Sequence, residues 1–156
     1  MTRTTQRILV TGACGQIGSE LIPILRKRYG AANVVATDIR SAETACLRDQ
    51  GPFEQLDVCN RVVMDGIIEN YNIDTVYHMA AILSATGEGN PTLAWDVNIS
   101  GLVNVLEIAR RRQLLRVFCP SSIAVFGPDT PRDCAPQATI LTPTTMYGVT
   151  KVAGEL

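Results

Sequence analysis

No excess of charge marks this sequence: 14 Lys and Arg against 15 Asp and Glu leave a formal net charge of −1 over 156 residues. So balanced a chain has no electrostatic reason to bind nucleic acid or an anionic membrane, and neither is expected as a partner. Its purely apolar runs are only a few residues long, whereas a membrane-spanning helix needs about 20. Residues 1–7 hold no long apolar segment and no small-residue cleavage site, so no secretion signal is read there and a cytoplasmic location is expected. Histidine is represented by His78 alone. A thiol–imidazole catalytic pair would have just that base, and a packed or backbone-bonded role is expected for it instead. The five cysteines, Cys14, Cys46, Cys59, Cys119 and Cys134, are odd in number and irregularly spaced. That pattern is neither a disulfide framework nor a CxxC metal site, so reduced thiols and no metal are expected.

What the chain does have is the material of a core. Hydrophobic residues make up 46% and charged residues 19%, a globular composition with room for one domain. Strand and helix patterns alternate. Ile8, Leu9 and Val10 predict a strand that ends in a glycine-rich turn. Residues 16–28 predict a helix with Ile17, Leu21, Ile24, Leu25 and Arg28 at three- and four-residue steps, and Arg26, Lys27 and Arg28 where the helix dipole favours cations. Pro23 predicts either a kink or a first turn there. Residues 34–37, 53–56, 76–80 and 117–119 read as further strands. Residues 61–71 read as a helix with Val62, Val63, Ile67 and Ile68 as its stripe, and residues 92–112 as a long helix whose core face carries Trp95, Val97, Leu102, Val105, Leu106 and Ala109. Arg110, Arg111 and Arg112 are expected at its solvated end. Residues 127–145, with Pro128, Pro131, Pro136 and Pro143, read as a long loop, and a helix opens at Tyr147. The alternation predicts an α/β fold, a doubly wound parallel sheet flanked by helices on both faces.

The turn after the first strand is specific. Thr11-Gly-x-x-Gly-x-x-Gly18 spaces glycines by three at a strand-to-helix junction. Gly12 permits the tight turn, Gly15 lets the backbone approach a pyrophosphate, and Gly18 lets helix and strand pack closely. The free N–H groups of Gln16 and Ile17 then open the helix with partial positive charge. The pattern predicts a Rossmann-type dinucleotide site. Asp38, followed by Ile39 and Arg40, ends the second strand at the roughly 20-residue spacing where a carboxylate meets the adenosine ribose. A 2′-phosphate would be repelled there, which favours NAD over NADP, although Arg40 could receive that phosphate. Asp57 and Val58 close the third strand at the same sheet edge, where Asp57 is either an adenine contact or an ordinary loop residue. Met79, Ala80 and Ala81 close the fourth with small residues that allow a close approach of the cofactor or merely close packing.

Tyr147-x-x-x-Lys151 puts a phenol and an ammonium on one helical face. A phenol with an ordinary pKa of about 10 is too weakly acidic to serve as a base at neutral pH, and a neighbouring ammonium stabilises its phenolate. Such a pair can take the proton of a substrate hydroxyl while hydride leaves its carbon. Ser121 and Ser122 follow the fifth strand, where a hydroxyl can hold the reacting oxygen.

Together these motifs resemble the extended short-chain dehydrogenase/reductase family. Within it, Ile8 through Gly12, Asp38 through Arg40, residues 83–88, Asp96 through Gly101, Pro120 through Gly127 and Met146 through Lys151 resemble the short-chain type of L-threonine 3-dehydrogenases, relatives of the nucleotide-sugar 4-epimerases. The resemblance implies oxidation of L-threonine by NAD to 2-amino-3-oxobutanoate, with Tyr147 as base and Lys151 as its partner, also bonded to the nicotinamide ribose. It implies Ser122 on the substrate hydroxyl, Ser84 and Ser121 on the amino acid, Tyr147 against both substrate and cofactor, and Asn98 among the cofactor-binding residues and in support of the active-site architecture. It also implies a homodimer paired through the long helix and the Tyr147 helix. Residues 1–156 are then the NAD-binding domain carrying the catalytic pair, the front part of a longer protein whose substrate-binding portion lies beyond this sequence. The alternatives are a nucleotide-sugar epimerase or dehydratase, and a non-catalytic NAD-binding fragment.

Overall fold

The computed structural model describes residues 6–41 and 51–156; Cys46 and residues 1–5 lie outside the described residues. The chain packs as two compact units: the described residues up to Ala80 with Gly101–Cys119, and Ala81–Ser100 with Pro120–Leu156.

The first unit is built on five parallel strands, β1 (Ile8–Thr11), β2 (Val34–Asp38), β3 (Phe53–Gln55), β4 (Thr75–His78) and β5 (Arg116–Phe118), in the order β3-β2-β1-β4-β5. The sheet, the strand order and the flanking helices bear out the expected doubly wound α/β class. β1 and β2 are buried along their whole lengths, as strands covered on both faces must be. Ile8 and Val10 pack with Val34, Ala36, Ile22 and Leu25 of α1 (Gln16–Tyr29) in one core cluster. Elsewhere in the unit, α2 (Arg61–Asn70) buries Met64, Ile67 and Ile68, and α5 (Gly101–Arg112) buries Leu102, Val105 and Ile108, packing on α2, β4 and β5.

Three helical faces differ from their sequence reading. In α1 the buried residues are Gly18, Ile22, Leu25 and Arg26, while Ile17 and Ile24 are both 62% exposed. Gly18 sets that phase, because it sits against the Gly12 carbonyl and Ala13. Arg26, in the last turn where the dipole favours a cation, is buried and donates to the Val34 and Pro52 carbonyls, with desolvation lowering its pKa. Pro23 stands in the interior of α1, on its exposed side. In α2, Asn60 caps the first turn through Val63 N–H and turns Met64 inward, leaving Val62 and Val63 exposed.

The expected helix over 92–112 comes in three parts: α4 (Pro91–Trp95), a wide π-helical turn (Asp96–Ser100) and α5. The extra residue of a π turn breaks the 3.6-residue period, so Trp95 and Leu106 are 43% and 47% exposed while Ala94 and Ile108 are buried. The arginines at the end of α5 are paired: Arg110 with Glu107, Arg111 with Asp65 at 2.6 Å, and Arg112 with both Asp65 and Glu69.

The second unit contains α3 (Ser84–Gly89), α4, the π turn, a single 3₁₀ turn (Ile123–Val125) and α6 (Met146–Glu155). Ser84–Gly89 form α3, with Leu83 just before it; Pro91 at the start of α4 and the Asn90 cap on Leu93 N–H separate α3 from α4. Residues 127–145 form no helix or strand, as their prolines predict.

Candidate active site

β1 delivers the chain into Gly12, whose φ of +68° is left-handed and whose missing Cβ would stand 2.6 Å from Ala80 N and 2.8 Å from the Met79 carbonyl carbon. Only glycine fits both demands. At Gly18 a Cβ would run into the Gly12 carbonyl oxygen, so this glycine brings α1 against the turn. Gly15 precedes α1 without a side-chain cap, and no acidic residue occupies the first turn, where Gln16 and Ile17 are exposed. The opening N–H groups of a 14-residue helix thus face outward with the positive end of its dipole, which fits a pyrophosphate.

The neighbouring strand ends hold that turn in place. Thr11 Oγ1 accepts from Ala80 N–H at 3.2 Å and lies 2.9 Å from His78 Nδ1. His78 is thus buried, in keeping with the packed role expected for it, and lies against the Thr11 side chain. Asp38, 6% exposed, accepts at Oδ2 from Cys14 N–H (2.9 Å) and at Oδ1 from Arg40 N–H (3.0 Å) and Arg40 Nε (3.2 Å). One carboxylate ties the glycine turn to the end of β2. Ile39 is 62% exposed beside it, its carbonyl accepting from Gln55 Nε2. Asp57 is exposed and its Oδ1 accepts from Cys59 N–H, which is the turn role left open by the sequence. Val58 is buried, and its carbonyl accepts from Asn104 Nδ2 on α5. Asn104 was missed by sequence reading, since one polar residue on an amphipathic helix carries no signal of its own. The first unit thus brings Gly12, Asp38 and Met79–Ala80 together at the carboxyl ends of β1, β2 and β4, beside the position where the strand order reverses.

The second unit collects the residues that the sequence nominates for proton transfer. α6 begins at the Thr145 cap, which accepts from Gly148 N–H at 3.0 Å, and the Met146 N–H donates to Glu88 of α3. Tyr147 and Lys151 share one face of α6, both half-buried. The Lys151 ammonium lies 5.6 Å from the centre of the Tyr147 ring and donates to the Pro120 carbonyl at 2.9 Å. Ser122 caps the 3₁₀ turn, its Oγ accepting from Ala124 N–H at 3.2 Å. This turn rests directly on α6: a Cβ at Gly148 would strike the Ala124 carbonyl oxygen and stand 2.7 Å from Pro143 Cβ. Gly148 therefore joins the Ser122 turn to the Tyr147 helix, a role that sequence reading missed although glycine inside a helix, disfavoured by about 1 kcal/mol, was a signal.

Ser84 opens α3 and is half-buried, as is Ala81. The exposed Ser121 donates its hydroxyl to Glu155, near the far end of α6 from Tyr147. Asn98 is 7% exposed in the π turn: its Oδ1 accepts from Ile82 N–H at 2.8 Å, and its Nδ2 donates to the Ile82 carbonyl and to Thr150 Oγ1, both at 3.0 Å. Both amide hydrogens are engaged within the unit. Among the described residues, no cysteine forms a disulfide, no group of three or more His, Cys, Asp or Glu could hold a metal ion, and no helix is long and apolar enough to cross a membrane.

Residues 8–156 match the model of the NAD dependent epimerase/dehydratase family. An uncharacterized epimerase/dehydratase of Staphylococcus haemolyticus is 58% identical over 151 residues, covering 97% of this chain and 47% of its own length. The L-threonine dehydrogenase from Clostridium difficile superposes with a TM-score of 0.93 at 47% identity, over 98% of this chain and 48% of that one. The UDP-glucose 4-epimerase of Thermotoga maritima superposes at 0.84 with 26% identity, over 95% of this chain and 48% of that one. The chain thus spans about half the length of the proteins it matches. The family's cofactor is NAD, and the glycine turn, the uncapped start of α1 and the Asp38 carboxylate fit it. With a match that runs from β1 through the Tyr147/Lys151 helix, the chain belongs to the NAD dependent epimerase/dehydratase family.

Proposed function

We propose that this chain is the NAD-binding and proton-transferring part of a dehydrogenase that oxidises L-threonine at its 3-hydroxyl to 2-amino-3-oxobutanoate. The observation that carries the reading is the likeness to the Clostridium difficile L-threonine dehydrogenase, 47% identical against 26% for the UDP-glucose 4-epimerase over nearly the same residues.

In this reading the backbone at Gly12, Gly15, Gln16, Ile17 and Gly18 holds the pyrophosphate. Asp38 accepts from the adenosine ribose, with Ile39, Arg40, Asp57 and Val58 around the adenosine and Met79, Ala80 and Ala81 where strand ends give the backbone a close approach. NAD, when bound, supplies the hydride acceptor. Tyr147 Oη, as the phenolate that the Lys151 ammonium stabilises, takes the proton of the substrate hydroxyl; Lys151 also bonds the nicotinamide ribose, and Ser122 Oγ holds the reacting oxygen. Ser84 and Ser121 bind the amino acid, Ser121 after parting from Glu155. Asn98 acts through the main chain it fixes rather than by touching the cofactor. The proposal extends to a homodimer, as the family resemblance implies, and to the cytoplasmic location read from the sequence.

The test is NADH formation by the protein in its natural full length, across L-threonine, other β-hydroxy amino acids and UDP-glucose. The proposal expects net NADH with L-threonine above all others. An epimerase returns its hydride to the sugar and gives no net NADH with any of them. A non-catalytic binding module binds NAD and turns nothing over. Either result overturns the proposal.

A further inference from the structure

We propose that Thr150 is a positioning residue that fixes the rotation of α6 about its axis and so aims Tyr147 and Lys151; the inference rests on the proton-transfer role given to that pair above. Thr150 is 2% exposed. Its hydroxyl donates to the Tyr147 carbonyl at 2.7 Å and accepts from Asn98 Nδ2 at 3.0 Å. A hydroxyl has one hydrogen to give, so with Tyr147 as acceptor the Asn98 bond must run from amide to hydroxyl. Asn98 has no freedom of its own either, since its Oδ1 and Nδ2 also hold the N–H and C=O of Ile82. A buried chain therefore runs from the Ile82 backbone through Asn98 and Thr150 to the backbone of Tyr147.

The placement of this chain on the helix is what gives it a function beyond satisfying a buried hydroxyl. At about 100° per residue, the face shared by Tyr147 and Lys151 lies between Gly148 on one side and Thr150 on the other, about 80° from each. Gly148 is packed backbone to backbone on Ala124, a contact that bars approach but does not pull. Thr150 supplies the pull on the opposite flank. Asn98 reaches it from the π-helical turn Asp96–Ser100, an arrangement rare in proteins and frequent at functional sites. A loss of this tether lets α6 roll, and a displacement of about 1 Å at a reacting group can cost on the order of 10²-fold in rate.

The experiment compares Thr150→Val, which keeps shape and removes the hydroxyl, with Thr150→Ser, which keeps the hydroxyl. Steady-state NAD reduction with L-threonine is measured beside the NAD dissociation constant and the melting temperature. The expected result is a kcat lowered roughly 10- to 100-fold in Thr150→Val, KM for threonine and NAD affinity within about twofold, and kcat largely recovered in Thr150→Ser. A merely structural role predicts a lower melting temperature with kcat per folded molecule unchanged, or equal losses in both variants, and either outcome overturns the proposal. A second readout needs no turnover: the ring resonance of Tyr147 in ¹³C-tyrosine-labelled protein, assigned with Tyr147→Phe. It should move in the valine variant and return in the serine variant; an unmoved resonance refutes the tether. If the wild-type protein does not oxidise threonine, the proposed function fails while this spectroscopic test still decides the role of Thr150. Should Thr150→Val fail to fold, Thr150→Ala serves with the same two readouts.

Discussion

Replacing Asp38 with asparagine separates the two tasks assigned to its carboxylate. Each oxygen of Asp38 accepts a main-chain N–H, Oδ2 from Cys14 and Oδ1 from Arg40. An amide of the same shape has one acceptor oxygen, so one of these N–H groups must face an NH₂ group. A buried donor left without an acceptor costs about 1–3 kcal/mol. The Arg40 ion pair adds little, because Arg40 is 53% exposed and surface pairs contribute about 0–1 kcal/mol. A total near 2 kcal/mol, at roughly 2–4 °C per kcal/mol for a chain of this size, predicts a melting temperature lowered by about 4–8 °C. Independently, the lost charge-assisted bond to the ribose weakens NAD about 10-fold, taking about 1.5 kcal/mol as the worth of such a bond. NADP binding should improve, since the charge repelling a 2′-phosphate is gone and Arg40 is released. Calorimetric titration with both dinucleotides and a thermal melt measure the two effects. An unchanged NAD-to-NADP affinity ratio would refute the ribose assignment, and an unchanged melting temperature would refute the structural one.

Tyr147→Phe should lower turnover by about 10²–10⁴, the worth of a positioned acid or base, while NAD affinity stays nearly constant; a parallel loss of affinity removes Tyr147 from proton transfer. Gly148→Ala drives a methyl into the Ala124 carbonyl and should cost about 1–3 kcal/mol, read as a lower melting temperature together with reduced turnover. Asp65, bridged to Arg112 and Arg111, is held down to about 2 from its ordinary 3.8, chiefly by the Arg112 hydrogen bond. Its folded value lies below its unfolded one, so the stabilisation is fully present above about pH 4 and is lost as pH falls toward 2. After allowance for solvent screening it amounts to about 1 kcal/mol, and Asp65→Asn should remove that part of the acid dependence in urea titrations at pH 5 and pH 3.

The parts of this molecule that were legible in the sequence are those where backbone geometry allows few residue types. Gly12 must be left-handed and sits against Ala80, Gly18 must touch the Gly12 carbonyl, and the glycines spaced by three announce both. Asp38 was legible by its distance from that turn, and Tyr147 with Lys151 by one helical turn of spacing. The faces of the helices were less legible. Ile17 and Ile24 form as good a stripe as Ile22 and Leu25, and only the contact at Gly18, made between elements, decides which one is buried. The π turn at Asp96–Ser100 was hidden because its extra residue leaves no mark in composition. Asn104 and Thr150 were hidden for another reason: each acts through a partner more than 40 residues away in sequence, Val58 and Asn98 respectively.

L-Threonine carrying deuterium on C3, incubated with the full-length protein and NAD, tests the central claim most directly. Oxidation at the 3-hydroxyl must deliver that deuterium to the coenzyme, so mass spectrometry should find one deuterium in each NADH formed. NADH free of deuterium, or none formed while NAD binds with its usual affinity, would contradict the account.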